Sequence, residues 1–315
     1  MANSINTNYG ANIALQNLNA TNRALETTQN RINTGKAINS AKDNGAIWSI
    51  AQNQTVQMNS LDAVKQSLQR GQSTIDVAMS AGETVKDILG QMKSLVLAAS
   101  DPGVDSASLD AYEEDFENLA KQIGTTIQGA NFNGVNMIAS FDDEGVLQTT
   151  GAGKSLKALA SADGKNHIDV AGVNFALGGT DSKTSINFDA DAFGDARPVA
   201  AAAAVMDEDG TTEITPEVAE RAAQWSGLMT KIDDSISYVT SSLTKLGTGS
   251  KSLDNQLTFT SKLQDTLETG IGNLVDADLA KESAKLTALQ TKQQLGVQAL
   301  SIANSSSSVL LSLFR

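Results

Sequence analysis

No cysteine occurs among the 315 residues, so disulfide bonds and thiolate metal sites are both excluded. The three prolines, Pro102, Pro198 and Pro216, leave long stretches in which a helix can continue. The single histidine, His167, has no second His or Cys with which to form a zinc site. Aromatic residues make up 4% of the chain, which favours helices packed through small and aliphatic side chains. We therefore predict no metal site and no cofactor and, because no catalytic constellation is visible, no enzymatic activity.

Long apolar runs and strong positive charge are missing as well. The longest apolar run, which ends at Met206, is far too short to span a membrane. Residues 139–222 carry 15 acidic and 6 basic side chains, a net −9 within a chain total of −13. We therefore predict neither membrane insertion nor nucleic-acid binding. The first residues also lack a basic, then apolar, secretory signal, so composition alone indicates a cytoplasmic protein.

A seven-residue apolar repeat is the main feature that the sequence does contain. It runs from Leu61 to Ala99 and continues in the second half of the chain, as is typical of a coiled-coil seam. Asp101-Pro102-Gly103 should end the first helix, and Thr215-Pro216 should begin the later one. The predicted seam residues are Leu61, Leu68, Ile75, Leu89, Met92, Val96, Met229, Ile232, Ile236, Val239, Leu243 and Leu246.

The middle of the chain has a different pattern. Gly and Asp are frequent between residues 139 and 214, and short alternating apolar runs around Gly172 predict small β-hairpins. Since both ends are helical and their seams match in type, we expect the ends to pair and the middle to loop out between them. The predicted fold is mainly α: a long antiparallel, coiled-coil-like bundle of N- and C-terminal segments with a small β-rich central insertion.

Four segments carry a resemblance to a known family. INTGKAINSAKDNGAIWSIAQ (32–52) is similar to the flagellin signature Arg-Ile-Asn-Ser-Ala-Lys-Asp-Asp followed by an Ala-Gly-rich turn. GANFNGVNMI (129–138) resembles the end of the N-terminal flagellin region, and residues 275–304 resemble its C-terminal counterpart. The closing VLLSLFR (309–315) resembles the Leu-rich, Arg-terminated flagellin tail. The resemblance spans 1–138 and 223–315, so the chain looks like a short flagellin.

The resemblance implies a structural subunit of the bacterial flagellar filament, built for swimming motility. It implies inner-tube helices at 1–42 and 277–315, disordered in the monomer, a helical rod at 43–138 and 216–276, and an acidic, outward-facing variable region at 139–215. The expected subunit-interface residues are Leu15, Leu18, Leu25, Ile32, Leu286, Leu289, Leu295, Leu300, Val309, Leu310, Leu311, Leu313, Phe314 and Arg315.

The same resemblance implies partners and location. The expected partners are further copies of the chain, alone or mixed with other flagellins, and the export apparatus, export chaperone, filament cap and junction proteins of the flagellum. Flagellins leave the cell by type III export without a cleaved signal, so the cytoplasmic expectation yields to an extracellular one. In the stretch LGQMKSLVLA (89–98), Gln91 and Ser94 replace the Arg and Glu of the motif read by the flagellin-sensing Toll-like receptor. We therefore expect weak or no activation of that receptor.

Alternative functions fit less well. A hook–filament junction protein shares the terminal helices, but such proteins resemble the segments 32–52 and 275–304 less closely. A membrane-inserting translocator would need a longer apolar stretch. The stretch ending Gly153-Lys154-Ser155 lacks the first glycine of a phosphate loop, because Gln148 stands there, and is expected to be a flexible surface turn. DADAFGDA (189–196) has Phe193 at a calcium-ligand position, and Trp48 and Trp225 are expected to be packing residues.

Overall fold

The computed structural model describes residues 8–142, 146–149, 151–178, 186–188, 192–193 and 216–312; for 216–223 and 306–312 only the backbone is described. Five helices lie in these ranges: α1 (Tyr9–Thr34), α2 (Ala41–Ala99), α3 (Ser106–Gly129), α4 (Pro216–Val275) and α5 (Leu279–Ser312). Two hairpins lie between α3 and α4: β1 (Ser140–Phe141) with β2 (Leu147–Gln148), and β3 (Leu156–Leu159) with β4 (His167–Val170). The prediction of a mainly α protein is confirmed.

Polar side chains fix the helix ends. Asn8 caps α1 by accepting a hydrogen bond from the Ala11 amide at 3.0 Å, and Gly35 ends that helix with a positive φ of 69°. The α2 backbone is extended at Asn44, whose side chain accepts from the Ile47 amide at 3.3 Å. Asp105 caps α3 through the Ser108 amide at 2.8 Å. Helix α4 begins at Pro216, as predicted, and it continues through Gly247 and Gly249.

The chain forms two compact units, residues 1–59 with 263–315 and residues 60–262. We call the first the terminal unit and the second the rod unit. In the terminal unit α1 and α5 pack antiparallel. The side-chain amide of Asn8 donates to the Ala303 carbonyl at 2.7 Å, and that of Gln293 donates to Asn22 at 2.8 Å. The N- and C-terminal segments therefore pair, as the sequence predicts.

In the rod unit α2 and α4 also run antiparallel. A Cβ built on Gly71 would lie 3.2 Å from Leu253, and Lys93 bonds to Asp233 at 2.6 Å, so α4 numbers fall as α2 numbers rise. Most predicted seam residues are buried in this unit, but Met229, Ile236 and Leu243 of α4 are half-buried. Among the described α4 side chains of the rod unit, those that are buried are Trp225, Leu228, Ile232, Ser235, Val239, Ser242, Leu246, Leu253 and Thr260.

The described central residues pack into the rod unit. Phe175 is fully buried, and its ring meets Tyr238 of α4 edge-on at 6.1 Å. The Val173 amide donates to the Met137 carbonyl at 2.7 Å, and the Phe175 amide donates to Ile138 at 2.8 Å. The segment after Gly172 therefore bonds to residues 137–138. The partner of β4 is β3, so the hairpin does not turn at Gly172 as the sequence predicts. The expectation that the middle loops out is wrong for these residues, because their aromatic side chains complete the core.

Candidate functional site

The α1–α5 pair has few buried side chains. In α1 the buried residues are Thr21 and Thr28, and in the described side chains of α5 the buried residue is Glu282. Large apolar side chains of both helices are exposed instead: Tyr9 (78%), Ile13, Leu15, Leu279, Leu295, Val297 and Ile302 (69%). We call these seven residues the exposed apolar set. Apolar surface of this extent on two neighbouring helices is typical of a surface that binds another protein.

The predicted subunit-interface residues fall into three groups. Leu15 and Leu295 belong to the exposed apolar set. Half-buried between the paired helices or at their edges are Leu18, Leu25, Ile32, Leu286, Leu289 and Leu300. Val309, Leu310 and Leu311 lie in the α5 backbone, but their side chains, and all of Leu313, Phe314 and Arg315, are outside the described residues.

Five exposed apolar residues were missed by the sequence reasoning: Tyr9, Ile13, Leu279, Val297 and Ile302. Tyr9, Ile13 and Val297 were missed because that reasoning followed the seven-residue spacing, which selects the side of a helix that faces its partner helix. Leu279 and Ile302 lie seven residues from the predicted Leu286 and Leu295, so the same spacing could have included them. A signal was nevertheless present. Apolar residues that lie off the repeat on an otherwise polar helix indicate a second apolar face.

A charged cluster around the buried Glu282 lies at one end of the α1–α5 pair. Arg31 Nη1 bonds to Glu282 Oε1 at 3.0 Å, and Lys285 Nζ lies 3.7 Å from Glu282 Oε2. Burial raises the pKa of Glu282, but the Arg31 hydrogen bond and the charges of Lys285 and Arg31 lower it by more than burial raises it. The net result is a pKa below the ordinary value of 4.5, so Glu282 is ionised at neutral pH.

The turn between α1 and α2 meets the turn between α4 and α5. The Ala37 amide donates to the Val275 carbonyl at 2.7 Å, and the Ala277 amide donates to the Gly35 carbonyl at 2.9 Å. Asp43 accepts from the amides of Asn39 and Ser40 at 3.1 and 3.0 Å. The two backbone bonds join the α1–α2 turn to the α4–α5 turn, and the Asp43 bonds hold the α1–α2 turn in shape.

The remaining candidate sites have structural roles where they are described. Gly153 is buried, and its amide donates to the Val173 carbonyl at 2.8 Å, so the expected flexible turn is instead a packed crossing of two segments. His167 is exposed on β4. Phe193 is buried against Trp225 at 4.9 Å, while the other residues of the calcium-like stretch, except Ala192, lie outside the described ranges. Trp48 is half-buried.

The described residues were also compared with what a membrane span and a metal site require. In these residues, none of the helices combines the length and apolar character that crossing a bilayer requires. Nor do three or more acidic or histidine side chains in these ranges come together in a way that would hold a metal ion.

Comparison with known proteins identifies both ends of the chain. Residues 5–142 match the bacterial flagellin N-terminal helical region, and residues 229–314 match the bacterial flagellin C-terminal helical region. Flagellin FljK of Caulobacter vibrioides is 50% identical over 99% of this chain and 99% of its own length. Flagellin C of Rhizobium meliloti is 35% identical, again over 99% of each chain. The crystal structure of Bacillus cereus flagellin aligns with a TM-score of 0.41 at 15% identity, covering 62% of this chain and 88% of that one.

These findings define a helical, self-associating structural protein whose two ends fold together. The chain belongs to the flagellin family. It is a structural subunit that polymerises with copies of itself into the flagellar filament, an extracellular structure used for swimming. A hook–filament junction protein is not favoured, because full-length relatives are flagellins.

Proposed function

We propose that this flagellin polymerises by burying the exposed apolar set of α1 and α5, together with the tail 309–315, against neighbouring subunits. The observation that carries the proposal is the exposure of seven large apolar side chains on two helices that bury almost nothing apolar between them. Burial of one Leu or Ile is worth roughly 1.5–3 kcal/mol. A contact repeated head to tail without closing generates a helical polymer.

The proposal includes a division of labour along the chain. Residues 1–42 and 277–315 form the inner layers of the tube, 43–138 and 216–276 form the rod, and 139–215 supply the acidic outer surface. The predicted interface leucines at half-buried positions hold α1 and α5 together, while Leu15 and Leu295 contact other subunits. Negative charge on the outer region keeps the filament solvated and limits bundling.

The remaining partners are proposed from the family. The chain leaves the cell unfolded through the flagellar type III apparatus, without a cleaved signal, after release from an export chaperone. It adds beneath the filament cap onto junction proteins and has no enzymatic activity of its own. Gln91 and Ser94 are exposed on α2, so a receptor that reads Arg and Glu there gains no charge-assisted contact. Reporter cells for the flagellin-sensing Toll-like receptor should respond weakly; a response equal to that of a motif-bearing flagellin would refute this.

The assembly proposal is tested by substitutions that leave the isolated subunit unchanged. Ile302→Asn and Leu295→Asn replace exposed apolar side chains, and Ser301→Asn and Gln294→Asn are the adjacent exposed polar controls. Losing roughly 1.5–3 kcal/mol per contact should raise the critical concentration for seeded polymerisation about 10- to 100-fold. The controls should polymerise normally. Normal polymerisation of both apolar variants would refute the proposed interface.

The tail is tested separately by ending the chain at Ser308. This truncation removes five apolar side chains, Val309, Leu310, Leu311, Leu313 and Phe314. We expect the thermal melting of the monomer to be unchanged and polymerisation, followed by pelleting and electron microscopy, to be lost. A truncated chain that melts much earlier would show that the tail belongs to the core of the monomer.

A further inference from the structure

Charge is unevenly distributed within the terminal unit. Helices α1 and α5 carry five basic and two acidic side chains, whereas the adjoining residues 35–59 and 263–278 carry two basic and five acidic ones. One of the two acids of the helix pair is Glu282, which is buried and bonded to Arg31. The exposed surface of the α1–α5 pair is therefore mainly basic, and that of the adjoining segments is mainly acidic.

Three lysines lie along one side of α5, and we call them the lysine stripe. Lys281, Lys285 and Lys292 are all exposed, and Lys285 lies 3.7 Å from Glu282. Helical geometry places the three within about 40° around the helix axis and spreads them over about 17 Å along it. Lys281 and Lys292 have no ion-pair partner among the described residues. The stripe is therefore positive charge that the subunit itself leaves largely uncompensated.

The end of α4 carries a stripe of the opposite charge, which we call the acidic stripe. Asp265, Glu268 and Asp276 are exposed, and within the part of the chain that the structure describes none of them forms an ion pair. Asp276 follows the last residue of α4, but its amide donates to the Gly272 carbonyl at 2.8 Å, so it continues the helical turn. The three residues line one shallow cleft together with Gly272 and Thr269. A concave acidic surface of this kind fits a row of basic side chains.

We infer that the lysine stripe of one subunit docks on the acidic stripe of a second copy of the chain, beside the apolar contacts proposed above. The lysines stand at positions 0, 4 and 11 of their stripe, and the acids stand at positions 0, 3 and 11 of theirs. Two parallel helices therefore form three pairs: Lys281 with Asp265, Lys285 with Glu268, and Lys292 with Asp276. Such pairs fix the orientation of a partner more than they raise its affinity. The inference rests on the proposed function, because the second copy is a neighbour in the filament.

A second acidic stripe has a similar spacing and is the main rival. Asp76, Glu83 and Asp87 are exposed on α2 and match the lysines in the antiparallel sense. Lys86, however, lies 3.6 Å from Asp87 and adds a positive charge that repels the lysine stripe. The α2 residues also belong to the rod unit, whereas the exposed apolar set belongs to the terminal unit. The acidic stripe of α4 is therefore the assigned partner, and the experiment includes both.

The experiment reverses the charge of each stripe separately. A basic-reversed chain carries Lys281→Glu with Lys292→Glu, and an acid-reversed chain carries Asp265→Lys with Glu268→Lys. Each chain then presents like charges to its own copies, so its critical concentration for seeded polymerisation should rise about tenfold or more at about 0.1 M salt. An equimolar mixture should copolymerise within about threefold of the unaltered chain, because each stripe then meets opposite charge. Rescue by mixing identifies a contact between subunits, since one chain cannot restore a contact within another.

Matched chains control for folding, net charge and position. Thermal melting of both reversed monomers should equal that of the unaltered chain. Lys245→Glu with Lys251→Glu, at exposed positions of the rod unit, makes the same change of charge and should polymerise within about threefold of the unaltered chain. Asp76→Lys with Glu83→Lys, mixed with the basic-reversed chain, should leave that chain in the supernatant. Rescue by this α2 variant would place the docking surface on α2 and overturn the inference.

Three further results would overturn it: reversed chains that polymerise as readily as the unaltered chain, a mixture that does not polymerise, or an equal loss in the Lys245→Glu/Lys251→Glu control. At about 1 M salt, where the Debye length is about 3 Å, both reversed chains should assemble like the unaltered chain, while Ile302→Asn should stay impaired. If the unaltered chain polymerises and the mixture does not, this inference fails and the apolar interface stands. If Ile302→Asn and Leu295→Asn polymerise normally while mixing rescues the reversed chains, the apolar interface fails and the charged contact stands.

Discussion

Gly82 and Gly90 of α2 form a natural pair for testing how the central residues are held in the rod unit. A Cβ on Gly82 would lie 2.7 Å from Leu243 Cδ2 and 2.9 Å from Phe175 Cε2, both closer than carbon atoms pack. A Cβ on Gly90 would meet nothing within 4 Å. Both glycines lie in the same helix, so replacement by Ala removes the same backbone penalty from each, about 0.8–1.0 kcal/mol.

The two Ala variants should therefore differ only by the overlap at Gly82. Leu243 is half-buried and can turn outward, but the Phe175 ring is fully buried against Tyr238 and cannot move without disturbing the core. Overpacking of this kind typically costs about 1–3 kcal/mol. We expect Gly90→Ala to be stabilised by about 1 kcal/mol and Gly82→Ala to lie about 1–3 kcal/mol below it.

Thermal unfolding by circular dichroism measures this difference. For a unit of about 200 residues, 1 kcal/mol corresponds to roughly 2–4 °C, so the midpoints of the two variants should differ by about 2–12 °C. Gly82→Ala with Phe175→Leu, which shortens the opposing side chain, should recover part of the loss. Equal or higher stability of Gly82→Ala relative to Gly90→Ala would show that Phe175 does not occupy the notch, and the packing of the central segment would have to be revised.

Three further predictions follow from the same structure. Leu89→Asp buries a charge at a fully buried seam position and should cost several kcal/mol of unfolding free energy. Lys86→Asp, at a side chain that is 42% exposed, should change the melting midpoint little. Equal losses in the two variants would contradict the α2–α4 seam. Phe175→Ala should lower the free energy of unfolding by about 3–5 kcal/mol, because Phe175 is fully buried. Phe259→Ala should change it very little, because Phe259 is 57% exposed. Small losses in both variants would mean that the central segment does not pack into the rod unit. Because the pKa of Glu282 is lowered in the folded pair, its contribution is complete above its ordinary value of 4.5 and is lost as the pH falls through the folded pKa. Filaments should therefore dissociate on acidification, measured by sedimentation, and Glu282→Gln should weaken them at neutral pH and flatten that acid dependence, while Glu26→Gln, at an exposed carboxylate, should do neither.

Local signals were sufficient to predict most of the helical framework. Pro102 and Gly103 follow the end of α2, and Pro216 starts α4. Each of these residues acts through its own backbone, so no knowledge of the tertiary partner is needed. The pairing of the two ends could also be inferred, because two apolar stripes of similar length need each other in water.

The packing around α4 could not be read in the same way. The apolar spacing favoured Met229, Ile236 and Leu243, yet between the shared positions the structure buries Leu228, Ser235 and Ser242. The reason lies in a distant part of the chain. The Ser235 hydroxyl accepts the Asn187 amide at 3.3 Å.

The same explanation extends along α4. Gly249 leaves room for Val170, since a Cβ there would lie 2.7 Å from Val170 Cγ1. Small and hydroxyl side chains on this line admit the backbone of the central segment, which larger side chains would exclude. Ser and Gly interrupt an apolar stripe in the sequence and so indicate no packing there. On α4 these residues nevertheless form the surface that contacts the central segment.

The interface residues show the opposite bias. Sequence periodicity selects side chains that recur on one line of a helix, and on α1 and α5 that line faces the partner helix within the same subunit. The residues that we propose to contact neighbouring subunits, such as Tyr9 and Val297, need no such period, because their positions are not set by the partner helix. A helix that binds both a partner helix and other subunits is therefore expected to be apolar on more than one face.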